Sequence, residues 1–140
     1  MSSNLVSKGN VSMGSVRVNG VIAGATHTER TTVSTLTDAA ETLTATQVVT
    51  NGGLLVGTPT ASRAKTIPTG TLTCAALKGY KVGDTFDVAV INLAAATHPL
   101  VITAGTDATI VGSATVAAAT SAAFKVRVSA TNTVVWYRVS

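Results

Sequence analysis

The run Thr85-Phe-Asp-Val-Ala-Val-Ile91 alternates with the period of a pleated strand. It places Phe86, Val88 and Val90 on one face and Asp87, Ala89 and Ile91 on the other. Similar short runs recur along the chain: Leu43 to Val49, Leu54 to Val56, Leu100 to Thr103, Ala108 to Val111, Ala114 to Val116, Ser121 to Val128 and Thr133 to Val139. Turn signals separate them at Asn51-Gly52-Gly53, Lys81-Val-Gly-Asp84, Ala104-Gly-Thr-Asp107 and Gly112-Ser113. A loop is expected through Arg63 and Lys65, and the only expected helix is a turn or two over Leu72 to Leu77. Short strands with turns roughly every ten residues specify an all-β fold, a β-sandwich of jelly-roll-like type. Branched Val and Thr pack well on a pleated surface, which supports the same reading.

Residues 1–35 differ from the rest. They are rich in Ser, Asn, Gly and Thr, with Val16-Arg-Val18 and Val21-Ile22 flanking Asn19-Gly20, a strong hairpin signal. An isolated hairpin is marginal in water. These residues are therefore expected to form an extended N-terminal arm that orders against another surface, with residues 36–140 as the sandwich domain.

Charged residues make up only 11% of the 140, against a usual share of about 25%. Much of the surface must then be Thr, Ser, Ala and Val, which loses little solvation when covered by a partner. The net charge of +4 comes from scattered Lys and Arg with few aromatics between them, unlike a nucleic-acid site. No apolar run is long enough for a membrane-spanning helix. The lone Cys74 lies in an apolar stretch and is expected to be a small buried hydrophobe.

The C-terminal hairpin allows a finer reading. With Thr131 and Asn132 as a two-residue loop, Val128 would pair with Val135 and Val126 with Tyr137. Trp136 would then face outward among Lys125, Arg127 and Arg138, with Lys125 directly across from Arg138. Trp and Arg dominate binding hot spots, so these four residues form a candidate protein interface, extended by Arg17, Val18 and Val21 of the arm. The alternative is a register slipped by one, which turns Trp136 inward.

Residues suited to catalysis are sparse. His27 and His98 lie far apart in sequence, and no Gly-x-Ser-x-Gly elbow is present. Asp84 and Asp87, three apart at a strand start, point to opposite faces. Asp38 and Glu41 in Thr37-Asp-Ala-Ala-Glu41 resemble a capping box, explained by one helical turn or a plain turn. One Cys and two His give no zinc spacing, and phosphate-cradling glycine loops are absent. No enzymatic activity, cofactor or metal is expected.

Several segments carry a resemblance. They are Thr58-Pro-Thr-Ala-Ser-Arg63, Thr66-Ile-Pro-Thr69 and Val82-Gly-Asp-Thr-Phe-Asp-Val-Ala-Val-Ile-Asn92. Further on stand Val101-Ile-Thr-Ala-Gly-Thr-Asp-Ala-Thr-Ile-Val-Gly112, Thr115-Val-Ala-Ala-Ala-Thr-Ser-Ala-Ala-Phe-Lys-Val-Arg127 and Val135-Trp-Tyr-Arg138. In this order they resemble a family of small tailed-bacteriophage virion proteins, which includes head decoration (cement) proteins and modules of fibre-like proteins. The resemblance covers residues 36–140 and rests on turn glycines and strand alternation. It implies a β-sandwich on the outer capsid surface that bridges neighbouring subunits of the major capsid protein. It also implies a homo-oligomer. A trimer is favoured over a dimer on the geometry of three-fold against two-fold capsid junctions, and no nucleic-acid or membrane partner is expected from the charge pattern and apolar runs. The alternative the resemblance leaves is a tail-fibre or baseplate module involved in host attachment.

Overall fold

The computed structural model describes residues 30–140, so Arg17, Val18, Val21 and the Asn19-Gly20 turn lie outside the described residues. Among the described residues ten strands form two sheets. The larger contains β1 (Val33–Thr35), β3 (Leu54–Gly57), β5 (Thr85–Asn92), β7 (Ala108–Val111), β9 (Thr120–Ala130) and β10 (Thr133–Arg138), in the order β1-β3-β5-β9-β10-β7. The smaller contains β2 (Glu41–Thr42), β4 (Arg63–Thr66), β6 (Leu100–Thr103) and β8 (Thr115–Val116), in the order β2-β4-β6-β8. The expected β-rich fold is present, and Val33–Thr35 is one of its strands.

The connectivity differs from a jelly roll. From β1 to β8 the chain alternates between the sheets, so each circuit lays one strand on each. Strands of successive circuits run parallel: β1 beside β3, β3 beside β5, β2 beside β4 and β4 beside β6. A parallel neighbour requires a long crossover, and here the crossover is itself a strand of the opposite sheet. Antiparallel pairing appears where the coil closes, with β9 against β5 and β10, and β8 against β6.

One core lies between the sheets. Leu55, Val88, Val90, Phe124 and Val126 enter it from the larger sheet, and Leu100, Ile102 and Val116 from the smaller. On β5, Val88 and Val90 are fully buried while Asp87 is exposed, the faces that alternation specifies. Buried Asn92, at the end of β5, ties the layers together. Its Nδ2 donates to the carbonyls of His98 and Val116, and its Oδ1 accepts from the Ala94 N–H.

Two local expectations need revision. The alternating run Leu43 to Val49 is not a strand but leads into a π-helical turn, Thr46–Thr50. The cause is a capping box at Thr44-Ala-Thr-Gln47. Gln47 Oε1 accepts the Thr44 N–H at 2.8 Å, and Thr44 Oγ1 accepts the Gln47 N–H at 3.2 Å. The segment through Arg63 and Lys65 is not a loop but strand β4. Among the described residues the single α-helix, α1 (Gly70–Ala76), overlaps the expected position, is capped by Thr69 and carries Cys74 buried. Burial pushes the Cys74 thiol up, against a lowering contribution from the Asn132 backbone. The Lys81–Asp84 turn forms as expected, with Gly83 at φ 99° and the Asp84 carboxylate accepting the Lys81 N–H.

Candidate interaction surface

The hairpin of β9 and β10 turns at Thr131-Asn132, and Ala130 pairs with Thr133 as expected. One step later the register shifts: Val134 pairs with Val128, so Ser129 is an extra residue on β9. Such a bulge places two residues opposite one and advances the remaining pairs. Trp136 then pairs with Val126 and turns inward, 0% exposed, its ring edge-on to Phe124 at 5.6 Å between centroids. Trp136 is therefore a core residue and not a surface anchor. Burying Trp136 and Val134 removes more apolar surface than burying Val135 and Tyr137, and leaves the Tyr137 hydroxyl in water.

The same shift rearranges the three cations. Lys125 no longer faces Arg138; it lies between Asp87 of β5 and Tyr137 of β10, and its Nζ pairs with the Asp87 carboxylate at 3.0 Å. Arg127 stays exposed between Thr85 and Val135. Arg138 is engaged within the fold: Nη1 donates to the carbonyls of Ser113 and Thr115, and Nε to that of Ser140.

Strand register orders the outer face of the larger sheet into rows. Val33, Leu54, Ala89 and Ala123 form one row, and Thr35, Val56, Ile91 and Ser121 the next. Beyond them come Asp87, Lys125, Tyr137 and Val111, then Thr85, Arg127, Val135 and Thr109. The half nearest β1 is thus uncharged and mostly aliphatic, while the other half carries the Asp87–Lys125 ion pair and the exposed Arg127 guanidinium. Val33, Val111 and Tyr137 are among the exposed large hydrophobics.

A polar cluster unmarked in the sequence sits at the edge of the smaller sheet. Lys65 points to the same side of β4 as the core, and its side chain is 0% exposed. Its Nζ donates to the carbonyls of Thr37 and Ala39 and to Glu41 Oε1, at 2.6, 2.8 and 2.6 Å. Glu41 Oε1 also accepts the Thr37 N–H, so Thr37 to Glu41 is a plain turn held by side chains. Beside it the Asp38 carboxylate accepts from Arg63 Nε and from the N–H and hydroxyl of Thr60. Burial opposes ionisation of Glu41, but Lys65 and the Thr37 N–H overcome it and hold the carboxyl below its usual range. The Arg63 guanidinium and Thr60 hold Asp38 far below that range. Every one of these groups already has a partner, so the cluster is a latch fixing the β1–β2 connection onto β4. A lysine in a strand of apparent loop composition gives no sequence signal of burial, and its acceptors on Thr37, Ala39 and Glu41 lie far from it in the chain.

An open cavity of about 330 Å³ lies beside the π-helical turn, lined by Val48, Val49, Gly52, Thr85, Phe86 and Asp87. Among the described residues that line it, Asp87 alone is titratable, and its carboxylate pairs with Lys125. Among the described residues no three His, Cys, Asp or Glu come together as metal ligands, and no helix is long and apolar enough to cross a membrane. Comparison with protein-family models, curated proteins and solved structures finds no match for the chain.

Proposed function

We propose that the chain is a non-enzymatic structural protein of the tailed-phage virion, a β-sandwich that decorates the capsid exterior and bridges major capsid subunits as a homo-oligomer. The observation that carries this reading is the outer face of the six-stranded sheet. It presents four rows of side chains in which aliphatic and small residues outnumber charges, a broad surface with little desolvation cost. A six-stranded sheet face suits a stable interface of roughly 800 Å² per partner. Binding two capsid subunits at once multiplies the effect through avidity. Tyr137 supplies an aromatic anchor and Arg127 an exposed cation in the same patch, the side-chain types that dominate hot spots.

A fibre or baseplate module is the second reading. The parallel two-sheet winding favours it, because circuits of this kind stack into extended solenoids.

The test is particle occupancy. The double variant Val111→Lys/Tyr137→Asp changes only exposed outer-face residues and should keep the fold, yet lose attachment to phage heads in a sedimentation assay. Undiminished attachment refutes the surface. Copies per particle comparable to the major capsid subunit support the head; a small fraction of that number supports the tail.

A further inference from the structure

Among the described residues each sheet has two edge strands, β1 and β7 in the larger and β2 and β8 in the smaller, and the strands added beyond β5 and β6, β9 and β8, are antiparallel to them. β1 and β2 each begin a sheet, and among the described residues no strand pairs with their outer edges. β2 is guarded by the ion pairs Glu41–Lys65 and Asp38–Arg63, a common protection against strand addition. β1, Val33-Ser-Thr35, carries no charge.

Hydrogen-bond parity shows what the β1 edge offers. Thr32 N–H donates to the Asn51 carbonyl and Leu36 N–H to that of Val56, both at 2.8 Å. Successive residues of a strand direct their backbone groups to opposite sides. Ser34 therefore faces β3, and the N–H and C=O groups of Val33 and Thr35 point out of the open edge. Two more observations mark this edge. Val33 is 56% exposed and begins the aliphatic half of the outer face. On the inner side, the Ser34 hydroxyl is buried without a hydrogen-bond partner.

We propose that the outer edge of β1 is a strand-acceptor site whose occupant is the chain's own upstream segment, residues 15–23. That segment, Ser-Val-Arg-Val-Asn-Gly-Val-Ile-Ala, carries Val16, Val18 and Val21 on either side of Asn19-Gly20. Its connection to β1 is residues 24–32. Closing so short a loop costs little, and the tether sets an effective concentration of order mM, well above that of a second copy in dilute solution. The added strand gives main-chain partners to Val33 and Thr35, extends the aliphatic rows and removes the open edge. This inference does not depend on the capsid reading.

Amide exchange on the full chain, read by NMR, tests it. The Val33 and Thr35 amides should be protected in the unmodified protein. In the Val18→Pro/Val21→Pro variant, which removes donors from the segment, they should exchange about tenfold faster or more, while Val88 and Val126 keep their protection. Unprotected Val33 and Thr35 in the unmodified chain overturn the proposal. So does protection that the prolines leave unchanged, or protection that rises with protein concentration, which places a second copy on the edge.

Discussion

Replacing Lys65 with Met keeps the length and apolar stem of the side chain and removes only its ammonium. Three acceptors lose their donor: the Thr37 and Ala39 carbonyls and the Glu41 carboxylate. Breaking a buried ion pair by deleting one partner typically costs about 3–5 kcal/mol. Glu41 keeps 20% of its side-chain surface in water, so solvent can take up part of its charge. The loss should therefore fall at the lower end, about 3 kcal/mol. For a chain of this size each kcal/mol shifts the midpoint by about 4 °C, so Tm should drop by roughly 12 °C. Adding Glu41→Gln should recover part of that loss, because the stranded carboxylate is then gone. Lys125→Met is the control: that pair is half in water, and its removal should cost at most about 1 kcal/mol. Urea unfolding followed by circular dichroism measures all four proteins. If Lys65→Met costs no more than Lys125→Met, the ammonium does not hold the β1–β2 connection, and the latch argument fails.

Trp136→Ala should destabilise by about 3–5 kcal/mol through the cavity it leaves beside Phe124. Trp136→Phe should cost far less, since the buried Nε1 it removes has no hydrogen-bond partner; a stable Trp136→Ala protein would place the ring outside the core. Asp38 and Glu41 have depressed carboxyl pKa values, so their contribution is present above the ordinary carboxylate range, about pH 4, and is lost as pH falls through the folded values. Denaturation midpoints should fall on acidification below that range, less steeply in Asp38→Asn/Glu41→Gln, and equal slopes for the two proteins would refute the assignment.

Side-chain alternation alone carries the faces of β5, because a period of two is a property of each strand by itself. Local chemistry likewise sets the Lys81–Asp84 turn through Gly83 and the Asp84 carboxylate, and places α1 within reach of a Thr69 cap. The capping box at Thr44 and Gln47 was readable too, but the apolar alternation of Leu43 to Val49 masked it. Strand direction is different in kind. Nothing in Leu54 to Val56 reveals whether its neighbour runs parallel, since pattern reports a face and not a partner. The outward or inward fate of Trp136 hung on one extra residue, Ser129, and both registers bury a plausible apolar set. Lys65 is buried only because the β1–β2 connection folds back to bring two carbonyls and a carboxylate to its ammonium. Those acceptors lie more than twenty residues away in sequence, and their convergence exists only once both sheets have packed.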